Sequence, residues 1–472
     1  MSSLLAVLVL LTACETPAPV AEKPVVPVVE VPKGPSFDYA ADAAGLNVIF
    51  ISMDALRFDR TGAGGSALTP NLDAFSKEAV VFTKATSAAP WTVPSHIAMF
   101  TSRWPTLHGV TNKLIPGPDP KGEMVFDKLA DDIPTFPERL VDAGWRAVAF
   151  TGGAGVQAKF GYGRKFETYL DDKTFAGMDY SGPPAMDWLK ANKDAHFFMF
   201  FHGYDAHGQH DLTGIDPRVA IPEYKGALDG GIEEQAKLRE KGLAEIKKPG
   251  DPPKLEGLSP EDIAFLTKVY DEKVKQADGR LGQYLATVKE LGLLDKSIIV
   301  IVGDHGEEFM EHGYLDHGAT LCEHQLHVPM IIRFPKGDGA RQVSDAVRTI
   351  DVFPTVFDAL GVTAPDGING KSLIPLLQGE KMDLPIYSES DYRLFVHLRS
   401  TRQGDSKLIL DLEDGQRSLF DLSKDAEEVT DLSTTDARTT YEMEQSLRTW
   451  LGEMKTDPQT FLGVEEEHIK LF

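Results

Sequence analysis

Thr92-Val93-Pro94-Ser95-His96 sets a hydroxyl two positions ahead of a proline, and an apolar run through Ile97, Met99 and Phe100 follows. Proline is tolerated in a first helical turn, so the spacing predicts Thr92 at or just before a helix N-terminus. Free backbone N–H groups and the positive end of the helix dipole suit that place to an anionic ester. Taken alone, Thr92 reads as readily as a plain N-cap. Two other stretches end in chemically capable residues. Asn47 to Ser52 (N-V-I-F-I-S) is a continuous apolar run of strand length that stops at Met53-Asp54. Ser297 to Val302 (S-I-I-V-I-V) stops at Gly303-Asp304-His305-Gly306-Glu307. Ligands of open α/β sheets bind beyond the carboxyl ends of strands, which makes an acidic residue at such a point a candidate for chemistry.

The elements that must hold these residues follow from apolar patterning. Runs without alternation, including His196 to Phe201 (H-F-F-M-F-F), predict strands covered on both faces. Thr69-Pro70 predicts a capped helix through about Val80, and Ile133 to Thr151 reads as helix then strand. Ser259-Pro260-Glu261-Asp262 opens a long amphipathic helix with Leu266, Val269, Val274, Leu281 and Val288 on its apolar stripe. A strand end at Asp351 leads into a helix from Val352 to Leu360. Beyond about Leu384 come short alternating strands and a helix from about Tyr441 to Met454. Residues 211–258 are polar, rich in Gly, Pro and Lys and without periodicity, as lids or substrate walls often are.

The chain has 472 residues, 42% of them hydrophobic, which is ample for a large α/β domain with a smaller appendage. Its formal charge of −24 and lack of a basic cluster exclude nucleic acid as a partner. An anionic substrate must then be drawn by something local, such as a cation or a helix N-terminus. Residues 1–13 carry a short apolar core and read as a signal peptide ending in Leu11-Thr12-Ala13-Cys14, although Met1-Ser2-Ser3 lacks a basic n-region. This end resembles a bacterial lipobox, with Cys14 as the lipidated residue. Residues 14–45 are rich in Pro and Val and predict an extended tether. The expected location is the bacterial cell envelope, facing periplasm or cell surface, with the membrane as partner through that lipid. Cys322 is then the one other thiol, and no internal disulfide forms.

The Thr92 segment and its continuation Ser102-Arg103-Trp104-Pro105-Thr106-Leu107-His108-Gly109-Val110 resemble the nucleophile block of the sulfatase family, in the alkaline phosphatase superfamily. Further blocks recur in family order. These are D-A-L-R-F-D from Asp54 with T-P-N-L-D from Thr69, D-H-G-E from Asp304, and E-H-G through H-V-P-M-I-I-R from Glu311 to Arg333. The resemblance implies a mixed, mostly parallel central sheet flanked by helices, alkaline phosphatase-like, with a small C-terminal antiparallel sheet plus helix. It divides the chain into a catalytic domain over 46–383 and a subdomain over 384–472. It makes Asp54, Thr92, Asp304 and His305 ligands of one divalent cation. Carboxylates suit Mn²⁺, Ca²⁺ or Mg²⁺, and the imidazole favours Mn²⁺ or Zn²⁺. His207, in the place of the family's D-P-H histidine, becomes the general acid toward the leaving oxygen. His96, Asn112 and His317 complete the set as substrate contacts. Ala55 stands where many relatives carry another ligand, and the Lys and His usual after Thr151 are missing from T-G-G-A-G. Arg57 and Asp59 are expected to pair with each other.

The resemblance then divides. Sulfatases mature the Cys or Ser of C/S-x-P-x-R to formylglycine, whose second hydroxyl expels sulfate. Here the first position is Thr92 and the last is His96. A threonine phosphate is easier to resolve than a threonine sulfate, so phosphoester chemistry, as phosphodiesterase or phosphotransferase, is preferred. The alternatives are a sulfuric ester hydrolase working without formylglycine, or a non-catalytic, surface-tethered binding protein on a sulfatase frame. In either enzymatic reading the substrate is a sulfate or phosphate ester.

Overall fold

The computed structural model describes residues 36–116, 124–207, 224–226, 258–394 and 396–454. The signal-peptide and lipidation readings, and most of 211–258, lie outside the described residues. Among these there is no helix long and apolar enough to cross a membrane.

Among the described residues sixteen strands form four sheets. In chain order the first ten are β1 (Asn47–Met53), β2 (Val80–Thr86), β3 (Leu114–Pro116), β4 (Met124–Phe126), β5 (Arg146–Phe150), β6 (Thr168–Leu170), β7 (Phe197–Gly203), β8 (Ser297–Gly303), β9 (Glu308–Phe309) and β10 (Leu315–Asp316). Then come β11 (His327–Arg333), β12 (Arg341–Arg348), β13 (Ile386–Ser390), β14 (Leu398–Gln403), β15 (Ser406–Asp411) and β16 (Arg417–Asp421). The main sheet runs β12-β2-β11-β8-β1-β7-β5-β6. Its pairs are parallel except where β11 meets β2 and β8. A mixed, mostly parallel sheet with a separate small antiparallel one is the architecture the resemblance implied.

Every residue of β1, β7 and β8 is buried. Their side chains alternate between two cores, as a period of two demands. Val48 and Phe50 face one side with Phe100, Phe136 and Phe353. Ile49 and Ile51 face the other with Val274, Leu281 and Tyr284 of the long helix Pro260–Glu290. That helix starts where expected, with Ser259 and Asp262 forming a reciprocal capping box. Helix α1 (Pro70–Ser76) is shorter than its predicted extent. Strand β2 comes directly after it, and the expectation of helix through Val80 is corrected: Val80–Phe82 pair with β11 and β12 as strand.

Helix α2 (Thr92–Thr101) is buried over its whole length, which explains its apolar run. It ends at Ser102 with φ of 53°, in the left-handed region. Here the Ser102 hydroxyl donates to Ile350 O at 2.7 Å and offsets the backbone cost. The small sheet runs β13-β14-β15-β16, fully antiparallel, and the helix Ala437–Glu453 buries Met443, Leu447 and Trp450 against it. Ala98, Trp104 and Ile350 belong to that same cluster, so the small sheet closes over the C-terminal half of α2.

The tether assigned to 14–45 ends earlier than expected. Phe37 is buried against Phe334, and Tyr39 donates its N–H to Ala359 O at 2.7 Å. The aromatic pair in F-D-Y carries this, because such rings gain more by leaving water than the preceding Pro and Val residues do.

Candidate active site

Strands β1, β7 and β8 lie side by side in register, Met53 opposite both Gly203 and Gly303. Parallel pairing therefore delivers the residues just after them, Asp54, Tyr204 and Asp304, to one edge. Helix α2 points its N-terminus at the same edge. Thr92 is its first residue, with Trp91 as N-cap and no capping side chain, so the helix presents free N–H groups there. The Thr92 Oγ1 lies 3.2 Å from Asp54 Oδ2 and 3.3 Å from His305 Nε2.

Asp54, Asp304 and His305 offer ligand atoms within 4.8 Å of one another, all buried. His305 Nδ1 donates to Gly306 O at 2.8 Å, which leaves the Nε2 lone pair facing the two carboxylates. Asp304 Oδ1 accepts from the N–H groups of Ala55, at 3.0 Å, and His305, at 2.9 Å. Asp54 Oδ1 and Asp304 Oδ2 are buried with no hydrogen-bond partner among the described residues. Buried carboxylate oxygens are costly unless paired. Burial first, then the Asp304 charge, push the Asp54 carboxyl well up. Burial also opposes ionisation of Asp304, but His305, His96 and His202 hold it below the usual range. Carboxylate oxygens without a hydrogen-bond partner among the described residues, facing the lone pair of His305 Nε2, fit a divalent cation, and Asp54, Asp304, His305 and Thr92 would hold it.

Ala55, at the place of the missing ligand, has φ of 55°. Tyr270 and Asp304 hold this strained residue through its C=O, at 2.7 Å, and its N–H, at 3.0 Å. The loop thus spends Ala55 on orienting Asp304. Arg57 pairs with Asp59 through two bonds, at 3.0 and 2.8 Å, and also reaches Glu307 O and Glu311.

Thr92, Asn112, Gly155, His207 and His317 line a cavity of about 470 Å³. A Cβ on Gly155 would come within 3.0 Å of the Thr92 side chain, so glycine there is what lets the wall approach the hydroxyl. The glycine segment does not offer its N–H groups freely, since Gly155 N donates to the Tyr204 hydroxyl at 2.8 Å and Gly153 N to Thr151 Oγ1 at 3.2 Å. His207 and His317 meet edge to face with ring centroids 4.9 Å apart. Burial works against a charged His317, but Asp316 and Glu307 overcome it and raise its pKa well above the ordinary value. Asn112 is held by its N–H on Asp127 Oδ2 at 3.0 Å.

His96 is not a wall residue and its assignment as a substrate contact is corrected. Its ring is wholly buried, Nε2 against Ser52 Oγ at 2.8 Å and Nδ1 against Thr92 O at 2.9 Å. Burial pushes it down to about 4. It is a neutral strut beneath α2 and Asp304. His202, which carries no motif in the sequence, lies beside it. Its Nε2 is 3.5 Å from Asp54 Oδ2, neither ring nitrogen has a hydrogen-bond partner among the described residues, and burial lowers its pKa to about 4. Its register opposite Ser52 is the signal, visible only once β1 and β7 are paired.

The remaining histidines of 312–327 serve the frame. His312 donates to Glu308 Oε1 at 2.7 Å and to Glu427 O at 2.9 Å. Burial opposes its charge, yet these partners raise its pKa to about 9. A raised folded-state pKa gives stability that is complete below about pH 6.5 and lost as pH rises through about 9. After solvent screening the loss is on the order of 1 kcal/mol. Urea denaturation at pH 6 and pH 9.5 is expected to show it in the parent and not in His312→Gln.

The sulfatase family model matches residues 46–362. A second, N-sulphoglucosamine sulphohydrolase C-terminal, matches 310–457. Arylsulfatase K of Mus musculus is 31% identical over 221 residues, 44% of this chain, and the matched stretch spans only 40% of that relative's length. Among solved structures, the phosphonate monoester hydrolase of Agrobacterium radiobacter superposes with a TM-score of 0.67 at 19% identity, covering 87% of this chain and 96% of that one. A protein solved in complex with its substrate, D-glucosamine-2-N,6-O-disulfate, gives 0.68 at 20% identity, covering 88% of this chain and 99% of that one. At such identities the likeness is one of fold. The family match, by contrast, takes in Asp54, Thr92, His207, Asp304 and His305 together, and the chain belongs to the sulfatase family.

Proposed function

We propose that the protein is a divalent-cation-dependent hydrolase of sulfate or phosphate esters with Thr92 as nucleophile, acting on phosphoesters in preference. The observation that carries this is the placement of the Thr92 hydroxyl within 3.3 Å of both Asp54 and His305, on the cavity wall and at a helix N-terminus.

A bound cation would lower the pKa of the Thr92 hydroxyl and neutralise charge on the ester oxygens. The chain's own residues do the rest. Helix α2 aims its free N–H groups at the anion, and Asn112 and His317, which line the same cavity, contact its oxygens. Thr92 Oγ1, its proton released to solvent, attacks phosphorus or sulfur, and the bond to the alcohol oxygen breaks. His207 gives that oxygen a proton. Water then cleaves the threonine ester with His207 taking its proton, and the departing Thr92 oxygen takes up a proton from solvent, which restores the hydroxyl. Threonine has no second hydroxyl through which to expel sulfate, which is why the phosphoryl reaction is preferred. Lipidation at Cys14 would hold this domain at the bacterial cell envelope.

The test is a parallel rate assay on an aryl sulfate, an aryl phosphate and an aryl phosphodiester, with each of Mn²⁺, Zn²⁺, Ca²⁺ and Mg²⁺. Faster cleavage of a phosphoester is expected. Faster aryl sulfate turnover would reverse the preference. Silence on every ester with every cation would leave a binding protein on a sulfatase frame.

A further inference from the structure

Glu308, His312 and Cys322 bring a carboxylate oxygen, an imidazole nitrogen and a thiol within 4.8 Å of one another. None of the three takes part in the chemistry proposed for Thr92. His312 and Cys322 line a cavity of about 340 Å³, which shares no lining residue with the cavity at Thr92. Glu308 is wholly buried.

One hairpin gathers the set. Strands β9 and β10 pair with Glu308 opposite Asp316, and the turn between them is closed by Met310 N–H donating to Tyr314 O at 2.6 Å. That turn returns His312 to Glu308. Cys322 comes next, directly ahead of the short helix Glu323–Leu326.

Partners outside the set hold its members in place. His312 Nε2 donates to Glu427 O at 2.9 Å, which fixes the ring with Nδ1 toward Glu308 Oε1 at 2.7 Å. A ring nitrogen tied to a backbone carbonyl is the usual support of a ligating histidine. Glu308 Oε2 accepts from Thr320 Oγ1 and Gln325 Nε2, so Oε1 is the oxygen turned to the imidazole. Burial first, then the charges of Glu308 and Glu428, push the Cys322 thiol well up. Lys407 opposes this, but its ammonium is engaged by Glu323 and Glu428 at 2.8 and 2.9 Å. Buried carboxylates beside a thiol call for positive charge, and in the cation-free chain the proton between His312 and Glu308 supplies it.

We infer that Glu308, His312 and Cys322 form a second cation site, selective for Zn²⁺, with its remaining position open to the cavity. Thiolate and imidazole favour zinc over Ca²⁺ and Mg²⁺, which prefer oxygen, and three protein ligands plus one water complete a tetrahedron. On binding, Cys322 Sγ and His312 Nδ1 give their protons to solvent and join Glu308 Oε1 on the cation. The cation braces the hairpin that follows Asp304 to Glu307 and so supports the active-site segment. With Nδ1 on the cation His312 no longer titrates, and the pH-dependent loss of stability given for it belongs to the cation-free chain.

The experiment titrates Co²⁺ into the reduced, full-length Asp54→Asn variant, which lacks an active-site ligand, and records the absorption spectrum. A thiolate on Co²⁺ gives an intense near-ultraviolet charge-transfer band that oxygen and nitrogen ligands alone do not give. A single equivalent should produce the band, and Zn²⁺ should then abolish it. Adding Cys322→Ser should remove the band with circular dichroism unaltered. His312→Gln, whose side chain is only 14% exposed yet lies at the cavity, should weaken Co²⁺ binding at least about tenfold and serves if the serine variant does not fold. Zn²⁺ at a hundred times its dissociation constant should raise the melting temperature of Asp54→Asn by about 3 °C, and Ca²⁺ and Mg²⁺ should not. No band with Co²⁺ in excess overturns the inference. So does a band that survives Cys322→Ser, since its thiolate is then Cys14, the chain's other cysteine. Binding unchanged by His312→Gln overturns it as well. None of these readouts uses turnover, so the hydrolase reading stands or falls separately.

Discussion

Thr92→Ala is expected to lower turnover by about 10⁴-fold or more, while Thr92→Ser stays within about tenfold of the parent. Its Oγ1 is the hydroxyl placed against both Asp54 and His305 on the cavity wall. The alanine variant keeps the helix start, because Thr92 makes no cap and Pro94 already favours the first turn. A loss of turnover with the cation still bound is therefore the signature of a lost nucleophile, and circular dichroism should be unaltered. Acid quenching during turnover should leave one phosphoryl or sulfuryl group on Thr92, found by mass spectrometry of the peptide. If Thr92→Ala keeps activity within tenfold of the parent, a water molecule is the nucleophile and the threonine reading fails.

How far residue patterns alone led to this site depends on what each element touches. Strands β1, β7 and β8 are covered on both faces, so they show as unbroken apolar runs that end at the chemistry. Strands β2 and β12 are different. In β2, Thr83 and Lys84 are half-buried within the strand, and in β12 only Val343, Val347 and Arg348 are buried. Neither carries a periodic signal strong enough to overrule a neighbouring helix. The antiparallel strands beyond Leu384 alternate and are readable for that reason.

The same distinction governs the site residues. Asp54, Asp304 and His305 follow strand ends, and a strand end is visible in one dimension. His202 lies within a strand, and its approach to Asp54 depends on lateral register. His96 carries the opposite lesson. Proximity to Thr92 in sequence suggests a substrate contact, yet i+4 on α2 turns its ring back toward the Thr92 carbonyl and the sheet. The cavity wall unites residues from eight separate stretches, among them Tyr392 and Arg393 between the first two strands of the small sheet, and no local pattern anticipates that meeting.

Cation removal is expected to abolish turnover and to lower the melting temperature, and the charge balance of the site explains both. Without a cation the chain buries the Asp54 and Asp304 carboxylates, each with one oxygen that has no hydrogen-bond partner among the described residues. Burial and mutual repulsion fall on Asp54. A cation at a hundred times its dissociation constant contributes about 2.7 kcal/mol, or about 3 °C for a chain of this size. Asp54→Asn separates this from a structural role of the same carboxylate. It keeps the side chain's shape and removes the charge that burial and Asp304 disfavour, so the cation-free variant should melt no lower than the cation-free parent. It should nevertheless gain nothing from added Mn²⁺, Ca²⁺ or Mg²⁺, or from Zn²⁺ with Cys322→Ser alongside, and turnover should be lost. If the parent shows no cation-dependent shift with any of the four, these residues do not hold a cation. If Asp54→Asn melts lower without cation, the carboxylate matters chiefly for the hydrogen bond it accepts from Thr92. The expected outcome rests on the geometry: Asp54 Oδ2 accepts from Thr92 Oγ1 at 3.2 Å, and Asp54 Oδ1 has no hydrogen-bond partner among the described residues.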